Sequence, residues 1–159
     1  MKYKLTEETK EFLGYTLHRI VCVTAFGTIA AGDFGGWVES EKNLDQSGNA
    51  WVSGNARVYG DAMVYGDAMG SGNARVSGDA KVYGDADFIV LKNNWSSGRY
   101  FTYTRSNELW KVGCFYGTGV ELIAKAYKDS ELSGKCYEAS VNYVEYIYKI
   151  LEESKKNAD

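Results

Sequence analysis

The chain of 159 residues has no proline, one histidine, and three cysteines. Cys22, Cys114 and Cys136 are too few and too scattered for a disulfide framework and read as reduced thiols of a cytoplasmic protein. No apolar run is long enough to span a bilayer, and Met1-Lys2-Tyr3 does not open a signal peptide, so no membrane partner is expected. The net charge of -3 argues against bulk nucleic acid or an anionic membrane as partner. What the chain has in quantity is tyrosine, 13 in all, and glycine, 18 in all, and much of the glycine is periodic.

Gly recurs without a slip at 48, 54, 60, 66, 72, 78 and 84. Asn or Asp follows each of them, then Ala, and Val stands at 52, 58, 64, 76 and 82. A strict six-residue period is the signature of a repeat architecture. Val and the Ala four residues later share one face of an extended chain, and Gly-Asn or Gly-Asp between them makes a corner that tolerates positive φ. Three such sides make a coil of eighteen residues, which places Arg57 over Arg75, Tyr65 over Tyr83, Asn55 over Asn73 and Asp61 over Asp79. The open ends of so short a stack need caps, and the terminal segments are the candidates.

This stretch resembles the hexapeptide-repeat, left-handed parallel β-helix family, and more narrowly the YdcK-like β-solenoids of phage and bacteria. The resemblance implies a mainly β fold. Residues 1-47 would be an N-terminal cap with an irregular first coil, and residues 48-91 a short left-handed triangular prism. Residues 92-159 would be a C-terminal β-hairpin with two helices. Gly35 to Leu44 looks like the lead-in of the same proteins. Val112 to Leu122 resembles a small Gly-Cys-Phe-x-Gly-Thr module at the C-termini of phage proteins. Prisms of this family commonly pack as trimers, so the outward row of Trp51 and Met69, with Tyr65 and Tyr83, is the expected homotrimer contact.

Outside the repeat, Thr6 is placed to cap a short helix with an acidic first turn. Leu17 to Thr24 reads as a strand, and Phe88 to Leu91 as a buried closing strand. Arg99 to Arg105 and Glu108 to Phe115 read as a hairpin about Ser106-Asn107. Thr118 and Glu121 have capping-box form. The helix they open is expected to end at Ser133-Gly134. A second runs from about Lys135 to Glu153, with Tyr137, Val141, Val144, Tyr148 and Leu151 on one stripe, before a polar tail to Asp159.

Many left-handed β-helix proteins are acyltransferases that use a histidine as base, and a branch of the fold binds zinc through three histidines. A single His18 beside Arg19, outside the repeat, supplies neither. The corner carboxylates Asp61, Asp67, Asp79 and Asp85 are explained by turn chemistry, though a stacked pair would also suit a cation. Cys114 reads as a buried strand thiol. The Arg57–Arg75 ladder either meets an acidic partner or extends into solvent. Residues 92-118 set Lys92, Arg99, Arg105 and Lys111 against a single acid, Glu108, among Trp95, Tyr100 and Tyr103. Cations beside aromatic faces suit an anionic, nucleotide-like ligand, and Thr118 opens a helix whose N-terminus suits an anion.

These features point to a non-catalytic, homo-oligomeric binding protein, phage-encoded, that sequesters a host defence protein or a nucleotide signal in the bacterial cytoplasm. No cofactor or metal is expected. The alternatives are an atypical hexapeptide-repeat acyltransferase and a self-assembling scaffold.

Overall fold

The computed structural model describes residues 1–70 and 72–158, with Asp85 and Ala158 as backbone alone. The carboxylate of Asp85 and the tail residue Asp159 therefore lie outside the described residues. The chain opens with a hairpin. Strands β1 (Tyr3–Phe12) and β2 (Tyr15–Cys22) pair antiparallel around a tight turn in which Leu13 and Gly14 both take positive φ. The helix expected at Thr6 does not form. Tyr3 and Leu5 face the core in alternation, and the Thr6 hydroxyl donates to the Arg19 carbonyl across the hairpin instead of capping a helix.

Strand β3 (Phe34–Val38) pairs antiparallel with β2 and parallel with the repeat. The repeat contributes six two-residue strands: β4 (Trp51–Val52), β5 (Arg57–Val58), β6 (Met63–Val64), β7 (Met69–Gly70), β8 (Arg75–Val76) and β9 (Lys81–Val82). They pair in parallel at an offset of eighteen residues, Trp51 with Met69, Arg57 with Arg75, and Met63 with Lys81. The lead-in joins at an offset of twenty, Val38 with Val58 and Leu44 with Val64.

The left-handed parallel β-helix expected from the hexads is corrected by this topology. The strands of 48-91 are divided among separate sheets, and no sheet closes among the described residues. One is a five-stranded sheet of mixed direction, in the order β1-β2-β3-β5-β8. The pairs β4-β7 and β6-β9 are two-stranded sheets of their own. Strand β10 (Phe88–Lys92) opens a four-stranded antiparallel sheet with β11 (Tyr100–Thr104), β12 (Leu109–Val112) and β13 (Phe115–Gly117). Strands of two residues separated by Gly-Asn or Gly-Asp corners are too short to fuse, and a 3₁₀ turn at Asp85–Asp87 ends the hexad geometry.

Two cores result. The first stacks Val38, Val58 and Val76, and Leu44, Val64 and Val82, all at most 1% exposed, with the repeat alanines between them. Each fully buried aliphatic side chain contributes about 1.5–3 kcal/mol. The second gathers Phe101, Trp110, Leu122, Val141, Val144 and Tyr148 between the antiparallel sheet and the helices. Strand β10 divides them: Phe88 and Val90 pack on the first core, Ile89 and Leu91 on the second. That two-sided burial explains its unbroken apolar sequence.

Side chains satisfy the exposed strand edges. Thr102 and Ser106 hydroxyls accept from Arg75 N (3.0 Å) and Lys81 N (2.7 Å) where a next strand is missing. At the other end the Asn43 amide donates to Gly60 O and Ala62 O. Lys2 Nζ donates to Ala50 O at 2.7 Å. Unpaired edges invite aggregation, and these substitutes remove that hazard.

Helix α1 (Gly119–Asp129) is capped by Thr118 and Glu121 in a reciprocal box. It breaks at Ser130, whose hydroxyl accepts from Ser133 N, and α2 (Glu131–Ala158) follows directly. The break thus precedes the expected Ser133-Gly134, and Gly134 lies inside α2, against Tyr127 of α1. A β-carbon there would collide with the base of the Tyr127 ring. Gly134→Ala would gain about 1 kcal/mol of helix propensity. Overpacking is expected to outweigh that gain, for a net loss of about 1–2 kcal/mol. The urea midpoint reads this directly, and a stabilised variant would mean that the helices are free to part. No helix among the described residues is long and apolar enough to cross a membrane.

Candidate anion-binding groove

Alternation along β5 and β8 turns Val58 and Val76 inward and Arg57 and Arg75 outward, side by side on neighbouring strands. The tip of the N-terminal hairpin reaches over them. The Phe12 ring centroid lies 4.2 Å from the Arg57 guanidinium carbon and 4.9 Å from that of Arg75. Lys10 Nζ sits 4.0 Å from the ring centroid of Trp37, the residue paired with Arg57 on β3. The antiparallel sheet closes the far side, where Arg99 and Tyr100 join Asn55, Arg57, Asn73 and Arg75 around a cavity of about 130 Å³.

Two residues further along the chain from Arg57 and Arg75, a second cavity of about 380 Å³ is lined by Leu13, Tyr15, Tyr59, Ser77, Gly78, Lys111, Cys114 and Tyr116. Tyr116 is pinned by two hydrogen bonds, donating to Ser77 O and accepting from Asn107 Nδ2, each at 2.9 Å. Its ring lies against Gly78, at positive φ, where a side chain would displace it.

The electrostatics are one-sided. Ion pairs among the described residues join Arg19 to Glu8, Lys42 to Asp61, Arg105 to Glu152, Lys125 to Asp129 and Lys135 to Glu131. None involves Lys10, Arg57, Arg75, Arg99 or Lys111. Arg57 Nε is buried without a hydrogen-bond partner among the described residues. Burial lowers the basicity of Arg75 and Lys111; at Arg75 the cations Arg57 and Arg99 lower it further against Tyr59 and Cys114, and at Lys111 Cys114 opposes burial while Arg75 adds a smaller lowering. Cation–π contacts, worth about 0.5–1 kcal/mol at such sites, offset part of the repulsion.

Lys10 is pushed down from 10.5 to about 8, by burial first and then by Arg57, against a smaller opposing effect of Glu8. Between these values the folded chain binds fewer protons than the unfolded chain at this site, so stability rises with pH there. Below about 8 both forms are protonated and the penalty is constant. Buried Tyr103 and Tyr148, both raised to about 12, reverse the trend once unfolded tyrosine ionises near 10. A small rise in melting temperature from pH 8 to 9.5 is expected, and it should be smaller in Lys10→Met, since Lys2 and Lys111, also lowered by burial, keep a share of it. An unchanged slope in that variant would assign the titration to another group.

Of the residues singled out in the sequence, the structure brings together Arg57, Arg75, Arg99, Tyr100 and Lys111. It takes the others elsewhere. Arg105 pairs with Glu152 and lies over the Tyr148 ring. Tyr103 is 9% exposed, wedged between Trp110 and Tyr148, and Trp95 packs on Phe101 and Tyr137. At Thr118 the hydroxyl and backbone N–H are engaged by Glu121, so the helix start holds its own carboxylate.

The expected outward row is also corrected at Trp51, which is 1% exposed beneath Tyr3 and Phe26. Met69 is half-buried against the first core, which leaves the Tyr65–Tyr83 edge-to-face pair on that surface. Cys114 is exposed rather than buried. The corner carboxylates serve local structure, Asp61 with Lys42, Asp67 with Asn49 and Asp79 with Asn107. His18 Nδ1 lies 3.3 Å from Thr6 O within the hairpin. No group of three or more metal-ligating side chains forms among the described residues.

Sequence reasoning missed Lys10, Phe12, Tyr15 and Tyr59. For Tyr59 a signal existed: it follows Val58 and precedes Gly60 as Tyr65 and Tyr83 do in their hexads. Nothing local announced that the hairpin tip would reach the repeat.

No family model matches the chain. Among curated proteins it is similar to the uncharacterized acetyltransferase YdcK of Escherichia coli (strain K12), with 34% identity over 59 residues. The match covers 32% of this chain and 18% of that protein. Similarity to an acetyltransferase thus extends over about a third of the chain, which spans less than a fifth of that relative's length.

Proposed function

We propose that the groove binds a phosphate-bearing anion and that the protein acts through binding rather than catalysis. The carrying observation is the set of five cations, Lys10, Arg57, Arg75, Arg99 and Lys111, that no carboxylate among the described residues neutralises. Clustered cations repel, so the arrangement is disfavoured until an anion enters. Two adjacent guanidinium groups with open donors match a phosphate's several acceptor oxygens. Calorimetric titration with inorganic pyrophosphate at low and high salt tests the reading. Micromolar binding that weakens with salt is expected, and no binding at low salt overturns it.

The similarity to an acetyltransferase favours a second reading, in which the anion is the phosphate portion of acetyl-CoA. Turnover of acetyl-CoA in the presence of amine or hydroxyl acceptors would support it. Binding of acetyl-CoA without turnover would leave the binding reading in place.

A further inference from the structure

Resting on that reading, we infer that the anion is the phosphate end of a nucleotide, with its base in the wider cavity against Tyr15, Tyr59 and Tyr116. The two cavities lie two residues apart along the chain, at β5 and β8 and just past their ends. Arg57 and Arg75 line the narrow one, and Tyr59 and Ser77 line the wide one. Residues i and i+2 share a face and stand about 7 Å apart. That separation suits a pentose joining a phosphate on the arginines to a ring on the tyrosines.

The wide cavity has the chemistry of a base site. Tyr15 and Tyr59 form one aromatic wall, their ring centroids 4.8 Å apart, and Tyr116 stands on the lining as well. Its volume of about 380 Å³ is that of a small-ligand pocket. The independent observation is the Tyr59 hydroxyl. Tyr59 is 2% exposed and lines this cavity, yet its Oη has no hydrogen-bond partner among the described residues. Burial raises the pKa of this phenol and the Ser77 side chain opposes the rise, without completing a hydrogen bond of good geometry. Buried hydroxyls in folded proteins are nearly always paired. A phenol that both donates and accepts meets the polar edge of a nucleobase, and aromatic faces stack on any base. A bare phosphate or an acidic side chain would use the arginines and leave the phenol unsatisfied.

The test compares ADP, GDP, CDP and UDP with pyrophosphate by calorimetry on the full chain, using wild type and Tyr59→Phe. The variant keeps the ring, and its melting curve checks the fold. At least one nucleoside diphosphate is expected to bind tenfold or more tighter than pyrophosphate. Tyr59→Phe should weaken that nucleotide about tenfold and change pyrophosphate less than twofold. Equal affinities for all four nucleotides and pyrophosphate would overturn the base site and leave the anion reading standing. Loss of pyrophosphate and nucleotide affinity alike in Tyr59→Phe would also overturn it, by making Tyr59 a support for the arginines. Failure of both ligand classes to bind wild type would overturn the anion reading itself.

Discussion

Val76→Asp is expected to leave no cooperative thermal transition. Val76 is 1% exposed, paired with Val58 on β5 and stacked in the row that begins at Val38. The first core holds aliphatic, alanine and aromatic side chains and no cation, so a carboxylate there finds no counter-charge. Burying a polar group without a partner costs roughly 2–7 kcal/mol, and an ionised one more. The lost valine contacts add about 1.5–3 kcal/mol. Together these approach or exceed the 5–15 kcal/mol by which domains are stable. Circular dichroism against temperature reads the result. A variant that melts cooperatively within a few degrees of wild type would mean that position 76 reaches water and that the inward assignment is wrong.

Arg75→Glu is expected to abolish anion binding while leaving the fold as stable as before, or more so. Arg75 is half-buried and crowded by Arg57 and Arg99. Reversing its charge converts those repulsions into attractions, so the melting temperature should stay level or rise by about 2–4 °C for each kcal/mol gained. The ligand loses a hydrogen bond to a charged group, worth about 1.5–3 kcal/mol, and meets a like charge in its place. At 1.4 kcal/mol per factor of ten, pyrophosphate affinity should fall about 100-fold or more. A structural role predicts the opposite pattern, a lowered melting temperature with binding reduced only in proportion. The contrast follows a general tendency: functional sites hold residues that stability alone would not select.

Much of the local structure was legible. The hexad period set the eighteen-residue pairing of Arg57 with Arg75 and Met63 with Lys81, because side-chain alternation and Gly-Asx corners are local properties. The box of Thr118 and Glu121 and the stripe of Val141, Val144 and Tyr148 were equally local signals, and both are in place. The α1–α2 break was misplaced because Gly134 read as a stop signal, whereas it is the residue small enough to let Tyr127 pass.

The candidate site was half legible. Arg57, Arg75, Arg99 and Lys111 stood out as cations without obvious partners. Arg105 stood out equally, and only the packing of α2 on the sheet gave it Glu152. Trp51 looked like an exposed face because the repeat taken alone leaves it outside, and the segment carrying Tyr3 and Phe26 covers it.

By itself, then, the sequence determined which residues of the repeat point inward and which of them stack. Those properties follow from a periodic backbone and require no knowledge of distant segments. Tertiary structure alone decided that the short strands would be divided among separate sheets, with an antiparallel hairpin joined to parallel rungs. It alone brought Lys10 and Phe12, Arg57 and Arg75, and Arg99 and Lys111 onto one face with two cavities. The physical reason is that these three pairs are brought together by burial of Tyr3, Leu17, Phe101 and Trp110 in cores built from the whole chain. Such burial is decided by surfaces far apart in sequence, and no local pattern announces it.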